Sequence, residues 1–142
     1  LHLVKHKSCY WCFALHSFTA PQLKKISDMG FYACCSLQYI FCDNVVEIGK
    51  SAFEQCNFKS VCMNKLKQVP ESAFAQCHSL QQIRFDSVKF IARNAFSLCF
   101  GLNLGVFPKL KGGERCFFVD FEVVPALPAE LKEKLFEIRQ QA

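Results

Sequence analysis

One phrase is written into this chain at a fixed interval. It reads "KSAFEQC" at 50–56, "ESAFAQC" at 71–77 and "RNAFSLC" at 93–99. Aligned on its phenylalanine, the phrase gives a ladder at Phe31, Phe53, Phe74, Phe96 and Phe118, with steps of 22, 21, 22 and 22 residues. Cys34, Cys56, Cys77 and Cys99 follow three residues after the first four rungs, and Ile26, Ile48, Val69 and Ile91 precede them by five. One further step back reaches Cys12, with Val4, Leu15 and Phe18 on the matching apolar positions. Self-similarity at such a period restricts the chain to architectures in which one short unit is stacked on copies of itself.

After each ladder cysteine comes a phrase of alternating apolar residues: "LHSFTA" (15–20), "LQYIFC" (37–42), "FKSVCM" (58–63) and "LQQIRF" (80–85). A turn former closes each coil at Pro21, Asp43, Asn64, Asp86 or Pro108. Alternation ended by a turn signal predicts a short strand. The single 21-residue step traces to "CNF" (56–58), which stands where "CCSL" (34–37) and "CHSL" (77–80) stand elsewhere, a deletion expected to be absorbed by a loop. A unit of this length cannot bury its apolar face alone, so successive strands stack in parallel and the Phe, Ile and Cys positions become internal ladders. The small residue before the phenylalanine (Gly30, Ala52, Ala73, Ala95) fits close backbone approach between coils. The expected fold is an α/β leucine-rich-repeat solenoid of about five 21–22-residue coils. It has a parallel strand ladder on the concave face and a C-terminal helix.

The I-G-x-x-A-F-x-x-C phrase, literal in "IGKSAFEQC" (48–56) and near-literal in "VPESAFAQC" and "IARNAFSLC", resembles the BspA-like leucine-rich repeats. The resemblance covers residues 1–124 and weakens where Cys9 takes the place of a phenylalanine and where "GGERCFFVDF" (112–121) lacks the ladder cysteine. It implies a repeat domain over 1–124, protein binding, and adhesion or surface antigenicity. Starting at "LHLV", in register with "LKKI" (23–26), the chain begins part-way through a repeat, as if further repeats precede it. In residues 125–142, Pro128 suits a first helical turn and Leu131, Leu135 and Ile138 share a helix face, so a short amphipathic cap is expected there.

Little in this sequence suggests chemistry. No nucleotide-binding, zinc-protease or nucleophile-elbow phrase occurs, and the expectation is a non-enzyme with no cofactor and no small-molecule substrate. "HKSCYWCFALH" (6–16) places His6, Cys9, Cys12 and His16 at zinc-like spacing, but repetition already explains Cys9 and Cys12 as the equivalents of Phe31 and Cys34. The ladder thiols read as compact core residues, with Cys42 inward as well, and they favour a reduced, intracellular setting over the cell surface that the resemblance implies. No apolar run approaches the ~18 residues of a membrane span.

The expected function is therefore carried by surfaces, with another protein as the partner. Strand alternation points Ser17, Thr19, Tyr39, Phe41, Ser60, Cys62, Gln82, Arg84, Leu104 and Val106 outward on the concave side. Within that set, Tyr39 and Phe41 beside Arg84 have the composition of an interface core, and Cys62, Gln82 and Val106 complete the predicted partner-binding surface. A second surface emerges from the alignment alone. Lys24, Lys67, Lys89 and Lys111 occupy one repeat position, a stripe suited to nucleic acid or an anionic lipid surface as the alternative partner.

Overall fold

The computed structural model describes residues 2–111 and the backbone of a strand at 122–124. Each coil contributes two strands. Two-residue strands are β1 (Leu3–Val4), β3 (Lys25–Ile26), β5 (Glu47–Ile48), β7 (Gln68–Val69) and β9 (Phe90–Ile91). Three-residue strands are β2 (Ser17–Thr19), β4 (Tyr39–Phe41), β6 (Ser60–Cys62), β8 (Gln82–Arg84), β10 (Leu104–Val106) and β11 (Glu122–Val124). All pairings are parallel and, up to β10, join equivalent repeat positions, as in Val4↔Ile26, Ser17↔Tyr39 and Gln82↔Leu104. This is a parallel-strand leucine-rich-repeat solenoid of about five turns.

The sequence reading needs four corrections or limits. The deletion at 56–58 does more than shorten a loop. The three-residue strands form a two-stranded sheet, β2-β4, and a four-stranded sheet in the order β11-β10-β8-β6, with no ladder joining β4 to β6. Asn57 instead donates its N–H to Leu37 O at 3.0 Å, using a backbone group close to where the strands would otherwise have met. At the other end Leu104 pairs with Glu122, so the last step is shorter than the repeat that had placed Phe118 on the ladder. The third concerns the α component: the described residues contain strands and turns and no helix. The expected cap at 125–142 lies outside them.

The stretch where a helix was open to it is a ribbon of turns, and its backbone shows why. Lys7 and Trp11, Met29 and Ala33, Ser51 and Gln55, Ser72 and Gln76, and Asn94 and Leu98 all have φ between 53° and 63°. A left-handed residue every fourth position cannot propagate a right-handed helix. Hydrogen bonds divide accordingly. Met29, Phe31 and Ala33 donate to Lys50, Ala52 and Glu54 of the next coil at 2.8–2.9 Å, while Gly30, Tyr32 and Cys34 donate back to residues three earlier. Each such residue costs on the order of 1–2 kcal/mol relative to ordinary geometry. The inter-coil bonds and the core they align offset that cost.

Inside, Phe31, Phe53, Phe74 and Phe96 form a stack with ring centroids 5.4, 5.3 and 5.5 Å apart and planes within 16°. The small residue before each is explained: a Cβ on Gly30 would lie 2.7 Å from Ile26 Cγ2. The buried cysteines do more than fill space. Cys34 Sγ donates to Cys9 O at 2.9 Å, Cys56 to Phe31 O at 3.3 Å, Cys77 to Phe53 O at 3.2 Å and Cys99 to Phe74 O at 3.0 Å. Each thiol thus ties its coil to the carbonyl of the preceding rung, which an alanine or valine of similar size could not do.

Candidate interaction surfaces

The three-residue strands carry two outward columns, Ser17, Tyr39, Ser60, Gln82, Leu104 and Thr19, Phe41, Cys62, Arg84, Val106, whose members alternate with Phe18, Ile40, Val61, Ile83 and Gly105. Ser17 and Thr19 are exposed, and Tyr39, Phe41, Ser60, Cys62, Gln82 and Arg84 are half-buried. Val106 is not available: it is 1% exposed, and Leu104 at 6% is little different. Both are apolar side chains on a strand hydrogen-bonded on both sides, and they turn this end of the face into core. Tyr39 and Phe41 are also not next to Arg84. They sit in the smaller sheet, whereas Arg84 sits in the larger, with β6 and its Ser60 and Cys62 between them at the ladder break.

Arg84 is held in place by its own strand end. Its Nε donates to Asp86 Oδ1 at 2.8 Å and its Nη2 to Asp86 Oδ2 at 3.1 Å, a bidentate pair that pushes the guanidinium pKa further up. Cys62 Sγ donates to Asn64 Oδ1 at 3.3 Å. Beside them the amide oxygen of Gln82 is enclosed and has no donor, alone in this among the side-chain nitrogens and oxygens of the described residues. The sequence places Gln82 on the predicted partner-binding surface but carries no sign of its amide's surroundings.

Backbone hydrogen bonds link the lysine positions from coil to coil. Val46 N–H donates to Lys24 O, Lys67 to Val46 O, Lys89 to Lys67 O and Lys111 to Lys89 O at 2.9–3.2 Å, so Lys67, Lys89 and Lys111 follow in consecutive coils. Val46 interrupts the column after Lys24. All four lysines are exposed and none makes an ion pair with a described residue, unlike Lys25 with Glu47 at 2.7 Å and Lys50 with Glu71 at 3.5 Å.

The thiols divide by burial. Cys12 and Cys35 are exposed, while burial pushes Cys34 and Cys42 up to about 11 and Cys56 and Cys77 well above the usual thiol range. His6, Cys9, Cys12 and His16 are not gathered: among the described residues no group of three or more His, Cys, Asp or Glu side chains is arranged to hold a metal. No helix among them is long and apolar enough to cross a membrane.

Stacked parallel coils with exposed side-chain columns along them define a repeat scaffold. The BspA type leucine rich repeat region model matches residues 3–119 in six copies, and the chain belongs to that family. Among solved structures it is similar to a leucine rich cell surface protein of Faecalibacterium prausnitzii, with 26% identity and a TM-score of 0.59 over 67% of this chain and 27% of that one. A leucine-rich repeat protein of Bacteroides ovatus shares 25% identity with a TM-score of 0.68, covering 87% of this chain and 40% of that one. The Treponema pallidum leucine rich repeat protein TpLRR has the same fold at 22% identity and a TM-score of 0.71, over 97% of this chain and 77% of that one. The chain thus spans well under half of the first two. No curated protein matches it.

Proposed function

We propose that this solenoid is a non-catalytic scaffold that binds another protein on its three-residue-strand face, through Tyr39, Phe41, Cys62, Gln82 and Arg84. The observation that carries this reading is the set of half-buried side chains on that face, the Tyr39 and Phe41 rings on one strand and, on another, Arg84 fixed by Asp86. The half-buried rings of Tyr39 and Phe41 add area of the kind that anchors interfaces. Display at a cell surface, as described for the Faecalibacterium protein, and a role as adhesin or surface antigen, are the setting this reading favours.

The test is capture by the purified chain and by two variants of confirmed fold. Replacing Tyr39, Phe41 and Arg84 by Ala is expected to abolish capture. Replacing Lys24, Lys67, Lys89 and Lys111 by Gln is expected to change mainly association rate and salt dependence. The reverse pattern would favour the second reading, in which the unpaired lysines of consecutive coils bind a polyanion or anionic surface, with affinity that collapses as salt is added.

A further inference from the structure

Five of the seven large apolar side chains exposed among the described residues lie on the turn ribbon: Tyr10, Trp11, Phe13, Leu98 and Phe100. The ribbon's repeat explains where they fall. Trp11, Ala33, Gln55, Gln76 and Leu98 share one position, each at φ between 56° and 63°, and Phe13, Cys35, Asn57, His78 and Phe100 share the position two residues on. Large exposed apolar residues therefore occupy these positions in the first and fifth coils, with Ala33, Cys35, Gln55, Asn57, Gln76 and His78 between them. The first pad is a cluster of rings: Trp11 stacks on Tyr10 at 5.6 Å, Tyr10 on Tyr32 at 5.2 Å, and Phe13 lies 5.7 Å from Trp11. In the second, His78 stacks on Phe100 at 5.8 Å, and Phe100 is 71% exposed.

Charge follows the same division. Residues 1–27 contain four Lys and no carboxylate, and residues 87–113 contain three Lys, one Arg and no carboxylate, whereas 28–86 contain six carboxylates against five cations. Exposed Lys5 and Lys7 lead into the first pad, with Lys7 Nζ 5.3 Å from the Tyr10 ring, and exposed Arg93 leads into the second. Four coil steps of ~4.8 Å put the pads roughly 19 Å apart on one side, close enough for one extended surface to reach both.

From this arrangement we infer that the turn side docks on an anionic lipid bilayer, seating Trp11 and Phe13 at one end and Leu98 and Phe100 at the other in the interfacial region. Tyr and Trp rings favour that depth because they are apolar bodies with a polar edge. Lys5, Lys7 and Arg93 meet acidic headgroups, and the amides of Gln55, Asn57 and Gln76 lie at headgroup level. Two weak anchors in one plane reinforce each other as linked sites do. The docking leaves the strand face open to a partner, and it does not depend on the partner-binding reading.

Trp11 is the only tryptophan in the chain, which makes the test direct. The whole chain is titrated with vesicles of phosphatidylcholine alone and of an equal mixture of phosphatidylcholine and phosphatidylserine. Sedimentation with the vesicles is followed together with Trp11 emission and its quenching by bromine-labelled lipid. The expected result is binding to the mixed vesicles only, with a blue shift and quenching of Trp11. Leu98→Gln with Phe100→Asn, and Trp11→Gln with Phe13→Asn, place on each pad the residues that the central coils carry natively, which keeps the fold. Each pair is expected to weaken binding about tenfold or more, since burying one such side chain is worth over ~1.4 kcal/mol. Trp11 emission unchanged by mixed vesicles would overturn the proposal, as would equal binding to both vesicle types. Loss of binding on removing only Lys24, Lys67, Lys89 and Lys111, with both pad variants bound as before, would overturn it in favour of the lysine stripe.

Discussion

Truncating Phe74 removes the middle of the core. The ring is fully buried and has three ring neighbours, Phe53 at 5.3 Å, Phe96 at 5.5 Å and Phe85 at 5.6 Å. Cutting a buried phenylalanine to alanine costs about 3–5 kcal/mol through lost transfer energy and the cavity left behind. Ring pairs of this kind add ~0.5–1.5 kcal/mol each beyond buried area, which places Phe74→Ala at the upper end of that range. Each coil packs only on its immediate neighbours, so the cavity cannot be closed by a distant rearrangement. Against the ~5–15 kcal/mol of a small domain, the variant should lose a third or more of its stability. Urea denaturation followed by circular dichroism would measure it, with Phe90→Ala as control. Phe90 is 57% exposed, so its truncation should change stability by no more than about 0.5 kcal/mol. Equal shifts for the two variants would mean that the phenylalanine ladder does not carry the fold.

Thiol labelling of the native protein should modify Cys12 and Cys35 first and Cys34, Cys56, Cys77 and Cys99 only after unfolding; mass mapping that finds disulfides among the ladder cysteines would refute the free-thiol core. Because folding raises the Cys34 and Cys42 thiols from about 9 to about 11, the unfolded chain releases these protons first, so stability should be complete below about pH 9 and fall as pH rises towards 11, which denaturation midpoints across that range would read. Gln82→Met removes an unpaired buried oxygen and should leave the chain as stable or up to ~1–3 kcal/mol more stable; a stability loss would mean that the amide serves the fold. Gln55→Gly relieves a left-handed residue and should cost nothing or stabilise by up to about 1 kcal/mol, whereas the same change at right-handed Glu54 should destabilise.

Stacking was legible because it writes itself at a fixed period. Phe31 to Phe96, their cysteines and the strand pairings all sit where repetition puts them, since each coil must offer its neighbour the same profile. What repetition hides is local. The missing residue at 56–58 looked like a loop matter and became a break in the sheet, because a parallel ladder cannot shift one strand by a residue and keep its partners. Val106 occupies an outward position by alternation and is buried, because alternation states direction and says nothing of what lies over the strand. The thiol–carbonyl bonds were invisible because cysteine also reads as a small hydrophobe, and the turn ribbon because ten left-handed residues other than glycine leave no composition signal. Trp11 and Phe13 were present in the metal-like stretch 6–16, where the cysteines drew the attention; only the shared position of Phe13 and Phe100 shows them to be one end of a surface.

Where a bound partner covers the chain decides whether the strand face is the binding surface. Oxidative footprinting of side chains, with and without the captured partner, reports this residue by residue. Tyr39, Phe41 and Cys62 should lose reactivity in the complex, while Phe90, exposed on the opposite set of strands, keeps its own. Unchanged oxidation at Tyr39, Phe41 and Cys62 in a saturated complex, with protection elsewhere, would contradict binding on the strand face.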